Sequence, residues 1–573
     1  DDTMASRYYS TGRNKTALFT LKLHRGDGMT LIAMNWKQGT PPEDFVGYAI
    51  EYREPEGDKF YPLKNRLAFP DSGGETNPNR LSTLLSPIQK FRWVHFPRNA
   101  GLPGRFVYRV TPVFMNSKDE LSYGEPQQAS IELSHETYTG QLNVAFTRGY
   151  VSSQSFVDFY QSKGSISRLL PAKAAQGLKF TPDHPLVEEA LIWMGFEARQ
   201  AILALLEEAV LDQTARVCMI AYDLNEPRIV DSLEKLGERL RIIIDDDAGH
   251  GLATSAESEA EKRLSARGCS VQRQHMGKLQ HNKIIVVDGE KVKKAVCGST
   301  NFSWRGLYVQ SNNAVIVSGA GAIAPFLNAF EQYWSYDTPA GFSQTDSAAG
   351  WTSLSLNKID SWITFSPHAD SNALLPEIAK DLGDRTRSSL FFSLAFLYQT
   401  PGVLQEAIKK VSMDDKIFVY GISDRKVGGL ELQKPSTNVS PVYASALSKN
   451  VPEPFKSEPT GGGGTRMHHK FLVVDFNTTR ARVYSGSYNF SSAADTKNGE
   501  HLLLIRDRRV ATSYMIEALR IFDHYHFRVS QQEAKKEKKT LQLAKPPRKT
   551  GEKPWWQEHF TVAHKIRDRE LFA

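Results

Sequence analysis

The chain has 573 residues, of which 40% are hydrophobic, 24% charged and 10% aromatic. That length supports three or more domains, and the composition excludes a collagen-like or largely disordered chain. Lys and Arg outnumber Asp and Glu by 71 to 64, a net +7, which admits a polyanionic partner such as nucleic acid or an anionic membrane without requiring one.

The three cysteines, Cys218, Cys269 and Cys297, have no C-x-x-C spacing, so neither a redox pair nor a zinc site is predicted. No other pattern calls for a cofactor. Apolar runs such as 284–287 and 390–398 are far shorter than the roughly 18–20 residues that span a bilayer. The first residues lack the apolar stretch of a secretory signal. The expected compartment is the cytoplasm, with residues 1–15 disordered and Asp1 to Thr3 an appended remnant ahead of Met4.

Residues 16–135 show short alternating segments punctuated by turn clusters, the pattern of an all-β sandwich. Segments 17–23, 47–53 and 106–110 alternate apolar and polar side chains. In order, 31–36, 45–53, 106–114 and 125–133 resemble the B, C, F and G strands of a fibronectin type III domain. The resemblance makes Trp36 the buried sandwich tryptophan and Tyr108 the tyrosine corner. The stretch 54–103 is longer than that family usually needs between its C and F strands.

Residues 136–183 read as a connector rich in Gly and Ser. From His184 the texture changes to alternating helices and strands, which implies a parallel or mixed sheet covered on both faces. Helical periodicity over 186–209 is followed by a strand at 216–222, a helix at 227–240 and a strand at 241–245. The order recurs with a helix at 373–384, a strand at 389–395, a helix at 401–411 and a strand at 416–420. Two α/β halves, 184–345 and 346–529, therefore suggest an internal duplication.

Each half ends in the same pattern. The first has His281, Lys283 and Asp288 in an H-x-K-x4-D motif followed by Gly298-Ser299-Thr300-Asn301; the second has His468, Lys470 and Asp475 followed by Gly486-Ser487-Tyr488-Asn489. His to Asn spans 20 residues in one copy and 21 in the other. Two copies at nearly equal spacing are not chance. In a strand, His and Lys two apart share a face, so each copy offers an imidazole and an ammonium to one site. Two lysines and two asparagine amides can neutralise a phosphodiester and its pentacoordinate transition state without a metal. One neutral histidine can attack phosphorus while the other, protonated, donates to the leaving oxygen.

These residues resemble the phospholipase D superfamily over about 184–529. The resemblance implies a pseudo-twofold pair of α/β halves meeting at one active site and metal-free chemistry through a phospho-histidine. It makes His281 the nucleophile and His468 the general acid, with Lys283, Lys470, Asn301 and Asn489 as phosphate ligands. The family commonly has Glu 11 residues beyond the motif Asn, orienting an imidazole. Glu500 fills that place in the second half and Asn312 in the first, which makes the halves chemically unequal. Asp288 and Asp475, on the opposite strand face from Lys, are expected to hold backbone or cross-half contacts, and Ser299 and Ser487 to support the histidines.

Superfamily members cleave DNA, RNA or phospholipids, and some transfer a headgroup. The second motif, with Asn498-Gly499-Glu500 beyond it, resembles the small endonuclease and cardiolipin-hydrolase branch, which favours nucleic acid over phospholipid. The alternatives are a phospholipase D acting on lipid headgroups and, more distantly, a non-catalytic phosphate-binding adaptor. Candidate apolar or base-stacking groups at the site mouth are Trp304 to Tyr308 and Trp351. The run Gly461 to Gly464 reads as a mobile lip or a plain linker. Asp245, Asp246 and Asp247 beside His250 read as a solvated acidic loop rather than a metal site, and His368 and His469 as neighbouring groups rather than ligands. The 530–573 segment reads as a basic tail. From Lys535 to Lys553 it has eight basic and two acidic residues, so it holds +6 of the net +7. A solvated tail or a polyanion contact would both explain it, and Trp555 and Trp556 beyond it either pack back on the body or insert at an interface.

Overall fold

A computed structural model describes residues 8–70, 80–133, 136–149, 154–394, 397, 402–423, 442–443 and 468–573. The glycine run Gly461 to Gly464 lies outside the described residues. The chain divides into two compact units.

The first unit is built on residues 1–135 and 512–573. Its strands are β1 (Tyr9–Thr11), β2 (Phe19–Arg25), β3 (Thr30–Trp36), β4 (Phe45–Arg53), β5 (Tyr61–Pro62), β6 (Arg92–His95), β7 (Arg105–Met115), β8 (Leu121–Tyr123) and β9 (Gln127–Glu132). They form two antiparallel sheets, β1-β2-β3-β6 and β5-β4-β7-β8, with β9 also on β7. Alternation delivers Phe19, Leu21 and Leu23 of one sheet and Phe106, Tyr108 and Val110 of the other to a single core. Trp36 is buried against Phe45, ring centroids 5.0 Å apart. The Tyr108 hydroxyl is spent on His95 Nδ1 at 2.8 Å.

Two expectations fail here. Tyr9–Thr11 is not disordered, because it pairs with β2 from Tyr9 opposite His24 to Thr11 opposite Lys22. The C-terminal segment is not a free basic tail. Trp556 is 7% exposed inside the sandwich core, and Trp555 Nε1 donates to the Phe45 carbonyl at 2.9 Å. Lys545 and Arg548 both pair with Asp119, at 2.9 and 2.8 Å. Two tryptophans bury more apolar surface than any flexible tail can expose without cost, so the basic run is pulled along the sandwich. Lys535, Lys536, Lys538 and Lys539, at and just past the end of the helix Arg508–Lys536, stay exposed.

The second unit holds residues 136–432 and 440–511. Its first sheet contains β10 (Leu142–Phe146), β11 (Arg216–Ala221), β12 (Leu240–Asp245), β13 (Ser270–Gln274), β14 (Ile284–Asp288), β15 (Lys293–Gly298) and β16 (Asn313–Ser318), in the order β10-β16-β15-β14-β11-β12-β13. Its second contains β17 (Thr352–Ser353), β18 (Asp360–Ser366), β19 (Ser389–Ser393), β20 (Phe418–Ser423), β21 (Val442–Tyr443), β22 (Phe471–Val474), β23 (Arg482–Gly486) and β24 (Glu500–Arg506), in the order β17-β18-β24-β23-β22-β19-β20-β21. Apart from β17, the two orders superpose strand for strand. β14 matches β22, β15 matches β23, and β10 matches β18. Both sheets are mixed: β11 to β13 and β19 to β21 run parallel, and the motif strands run antiparallel.

The connector is therefore partly sheet, since Leu142–Phe146 pairs along β16 as an edge strand. The first half's core is closed by the helix Val187–Leu211, whose buried face includes Ala190, Leu191, Met194, Ala198, Ile202 and Leu206. The periodicity that predicted it is the i, i+3, i+4 stripe of a core-facing helix.

Replacing Trp556 by Ala should destabilise the first unit by about 3–5 kcal/mol, read as a lower urea midpoint for the transition that reports the sandwich. An unchanged midpoint would mean that the segment contributes nothing to that core.

Candidate active site

Both histidine motifs sit immediately before their strands, not within them: residues 281–283 precede β14 and residues 468–470 precede β22. The backbone leaves the sheet because it is used elsewhere. His281 N donates to the Gly499 carbonyl at 2.8 Å and Gly499 N to the Leu279 carbonyl at 2.9 Å, a bridge between the two halves. His and Lys are therefore coupled by a local turn rather than by strand alternation. Lys283 Nζ donates to the His281 carbonyl at 2.6 Å, and Lys470 Nζ to the His468 carbonyl at 2.9 Å.

The imidazoles are held crosswise. His281 Nδ1 lies 2.5 Å from Glu500 Oε1, which belongs to the second half. His468 Nδ1 lies 2.7 Å from Asn312 Oδ1, which belongs to the first. Each half supplies the acceptor that orients the other half's histidine. The serines brace these acceptors: Ser299 Oγ donates to Asn312 Oδ1 at 2.9 Å, and Ser487 hydrogen-bonds Glu500. The backbones of Ser487 and Ser299 also reach His281 and His468 respectively.

A second interlock, which the motifs do not announce, repeats the crossing one residue further on. His501 follows Glu500 and pairs through Nδ1 with Asn282 Oδ1 at 3.0 Å. Asn313 follows Asn312 and pairs through Nδ2 with His469 Nδ1 at 3.0 Å. Gly298 N–H donates to His501 Nε2 at 2.9 Å, so the proton of this neutral ring sits on Nδ1 and points at Asn282. His501 and Asn313 both stand 12 residues past their motif asparagine. That repeated spacing is the signal that could have found them. It also explains the motif glycines: a Cβ on Gly298 would lie 2.5 Å from the Asn313 carbonyl oxygen, and one on Gly486 would lie 2.5 Å from that of His501.

The site is largely buried and gathers several titratable groups. His281 is 5% exposed, Lys283 1%, Lys470 4% and Glu500 0%. Burial, reinforced by both lysines, holds His281 well below the usual imidazole range, and the same causes lower His468. Burial brings Lys283 down to about 7 against the opposing pull of Glu500 and Asp223. Burial also lifts Glu500 to about 8, although Lys283 opposes it. Such a cluster is destabilised until an anion enters, because buried charge is expensive unless it is paired. Asn301 is buried and its Oδ1 finds no partner among the described residues. Asn489 is half-buried.

The motif aspartates part ways. Asp475 is fully buried and accepts the backbone N–H groups of Arg387, Ser388 and Ser389 at 2.7–3.1 Å. Asp288 instead faces solvent and pairs with Lys293 at 2.6 Å, because the two residues are opposite each other in the β14–β15 register. The expected backbone or cross-half contact is made by one copy only.

Beside His281 the acidic run expected as a solvated loop instead opens a buried network. Asp245 is fully buried at the end of β12, where it accepts from Gln280 N at 2.8 Å and bonds His250 Nδ1 at 2.7 Å. His250 Nε2 meets Asp223 Oδ1 at 2.7 Å. Burial alone would lower His250, but the bonds to Asp223 and Asp245 outweigh it and hold the ring at about 11. Asp223, His250 and Glu257 bring ligand atoms within 4.8 Å of one another. In this arrangement His250 Nε2 is spent on Asp223, and Glu257 Oε2 accepts from Leu224 N at 2.9 Å. The Tyr222 ring packs against both His250 and His281, centroids 4.5 and 4.8 Å away, and lies under Lys283 Nζ at 5.1 Å.

The proposed mouth groups are displaced. Trp304, Leu307 and Tyr308 are buried in the first half's core, with Tyr308 hydrogen-bonded to Arg199 Nε at 3.0 Å. Trp351 is half-buried and donates to Glu377 at 3.2 Å. His368 is buried on Asp495 at 2.9 Å.

This duplicated architecture agrees with comparisons to known proteins. The family described as "Cardiolipin synthase, PLD-like domain" matches residues 202–334 and 408–521. The chain is therefore similar to that family over these two stretches, one in each α/β half. It is 42% identical over 48 residues to a phospholipase D of Rickettsia felis, a stretch covering 8% of this chain and 22% of that protein, and 40% identical over 48 residues to that of Rickettsia prowazekii. The match thus spans about a fifth of these curated relatives. Among solved structures, phosphatidylserine synthase of Haemophilus influenzae is similar at 15% identity over 60% of this chain and 92% of that one, with a TM-score of 0.40. Nuc of Salmonella typhimurium, a phospholipase D family member, is similar at 25% identity over 24% of this chain and 87% of that one, with a TM-score of 0.21.

Gly298→Ala should lower stability by at least about 1–3 kcal/mol, since the residue has φ +130° and its Cβ would strike the Asn313 carbonyl; a variant with wild-type thermal stability would contradict the close approach. His250 adds a pH signature. Its pKa is raised on folding, so its contribution is complete below the unfolded value near 6.5 and is lost as pH rises towards 11. The stability gap between the protein and His250→Gln should narrow across that window, and a gap independent of pH would contradict the charged pairing.

Proposed function

We propose that the protein is a phosphodiesterase that forms a covalent phospho-histidine on His281, with His468 as general acid and then general base. The observation that carries this reading is the unequal crossed pair, a carboxylate behind His281 and an amide behind His468. With both Nδ1 atoms engaged, each imidazole has only Nε2 to offer to substrate. When His281 Nε2 attacks phosphorus, a P–N bond forms, the P–O bond to the leaving oxygen breaks, and the imidazole becomes cationic. The growing cation opposes the burial that lifts Glu500 to about 8, draws that group into its carboxylate form and is neutralised by it. The phosphodiester's charge opposes the burial that lowers His468 and lets that ring carry a proton, which it releases from Nε2 to the leaving oxygen, and a neutral amide does not hold the proton back. Water then attacks phosphorus and gives its proton to His468, and the P–N bond breaks to restore neutral His281. An alcohol in place of water would give transfer instead of hydrolysis.

Lys283 and Lys470 supply the charge that lets a nucleophile approach an anion, with Asn301 and Asn489 as amide ligands. Entry of the phosphodiester opposes the effect of burial on Lys283 and keeps it charged. Ser299, Ser487, Asn282, Asn313, His469 and His501 are positioning residues. The fixed ammonium groups do the electrostatic work that a metal would otherwise do.

Nucleic acid leads as the substrate on the resemblance of the second motif, with Asn498-Gly499-Glu500 beyond it, to the small endonuclease branch. A phospholipid is the second reading, favoured by the names of the matching family and relatives. The exposed lysines at 535, 536, 538 and 539 are a contact for either polyanion. The N-terminal sandwich is a fibronectin III-like spacer or docking module, a reading supported by β2-β3-β6 packed on β5-β4-β7-β9.

Activity on a bis-aryl phosphodiester should survive excess chelator and be lost in His281→Ala. With an alkyl leaving group, His468→Ala should cost about 10²–10⁴-fold. With nitrophenolate, which leaves unaided, the same variant should keep a burst of product. Loss of all activity in chelator, or equal losses for both leaving groups, would overturn these roles. DNA, RNA and mixed phospholipid vesicles compared side by side decide the substrate; headgroup release without nucleic-acid cleavage would overturn the nucleic-acid reading.

A further inference from the structure

The two halves differ in how their sheets are covered. The helical segment Val187–Leu211, 25 residues long and kinked at Phe196 (φ +47°), packs on β10 and β16. Its counterpart in the second half, Leu375–Arg385, has 11 residues. The face of β23 and β24 is left with a cleft of about 580 Å³ beside this short helix. Tyr484 and Leu504, paired across β23 and β24, lie on its floor. The cleft also adjoins the turn after β22, at the opposite end of that strand from Lys470, which a four-residue strand puts roughly 13 Å away.

The lining is strongly basic. Lys380, Arg385, Arg387, Arg480, Arg482 and Arg506 face it, against two carboxylates, Glu377 and Asp381. Both carboxylates are already engaged. Asp381 takes Arg482 at 2.8 and 3.2 Å and the Tyr484 hydroxyl at 2.7 Å, and Glu377 takes the Trp351 indole. The remaining cations are poorly neutralised. Arg385 lies 3.9 Å from Asp381 and is 66% exposed, and Arg506 lies 3.7 Å from Asp360 and is 50% exposed. Lys380 and Arg480 have no side-chain partner among the described residues. Like charges gathered without partners repel one another, and arginines from a helix end, a turn and a strand end form a fork-shaped donor set suited to phosphate oxygens.

We propose that this cleft is a second anion site, separate from the histidine pair, that binds a small oligophosphate. Its volume is that of a small-molecule pocket. The cations surround the cavity from three elements, so an anion carrying two or more phosphates can meet several at once. A helix and a turn wall the cleft, whereas a nucleic-acid strand needs an open basic track.

The test is titration calorimetry of the full chain with tripolyphosphate at low salt, against the double variant Arg480→Ala, Arg506→Ala. Both side chains are exposed and neither lies in the histidine site. The expected result is at least a tenfold loss of affinity in the double variant, with unchanged thermal stability and unchanged hydrolysis of the bis-aryl phosphodiester. The single variant Arg480→Ala should show part of the loss. Equal affinity in variant and wild type would place all anion binding at the histidine site and overturn the proposal. Arginine-dependent binding of a single-stranded oligonucleotide without binding of tripolyphosphate would also overturn it.

Discussion

The crossed anchoring of the two histidines is the constraint on which the second unit depends. Neither half can orient its own imidazole. Glu500 reaches His281 and Asn312 reaches His468 only when the halves close on each other. The next pair outward, His501 with Asn282 and Asn313 with His469, repeats the exchange. The Gln280–Gly499 bridge stitches the backbone at the same level. An internal duplication thus becomes a single site, because each copy carries a socket for the other.

Such a centre is built at a cost. Two lysines, two histidines and a glutamate share one largely buried volume, and burial pushes the pKa values of Lys283, the two histidines and Glu500 toward their neutral forms. This arrangement is suited to an anionic ligand, whose charge is satisfied by groups already in place and whose binding offsets desolvation that folding has already incurred. The symmetry of the positive groups and the asymmetry of the supporting ones serve different ends. The lysines treat the phosphate alike from both sides, whereas the carboxylate and the amide divide nucleophile from acid.

Much of this was legible in the residues. The paired motifs and the repeated element order follow from spacing, because a duplicated site repeats its distances along the chain, and the resemblance to the phospholipase D superfamily points on to Glu500 and Asn312. His501 and Asn313 were missed although they obey the same repeat, since neither belongs to the motif itself. Asp245 was misjudged because three consecutive aspartates look solvated in sequence, while β12 buries the first and His250 neutralises it. The placement of His281 and Lys283 outside β14 was illegible because it depends on a backbone bridge to residue 499. Trp555 and Trp556 carried no periodic signal, and their partners Phe45 and Pro42 lie some five hundred residues earlier. Local pattern reports local structure, and long-range burial leaves no trace in it.

The central claim is that the reaction passes through His281. The most direct measurement is peptide mapping, under alkaline conditions that preserve phosphoramidates, of protein quenched during turnover of a bis-aryl phosphodiester. The account predicts an acid-labile phosphoryl group on His281, accumulating further in His468→Ala. A phosphoryl group on His468 instead, or none on either residue while product forms, would contradict it.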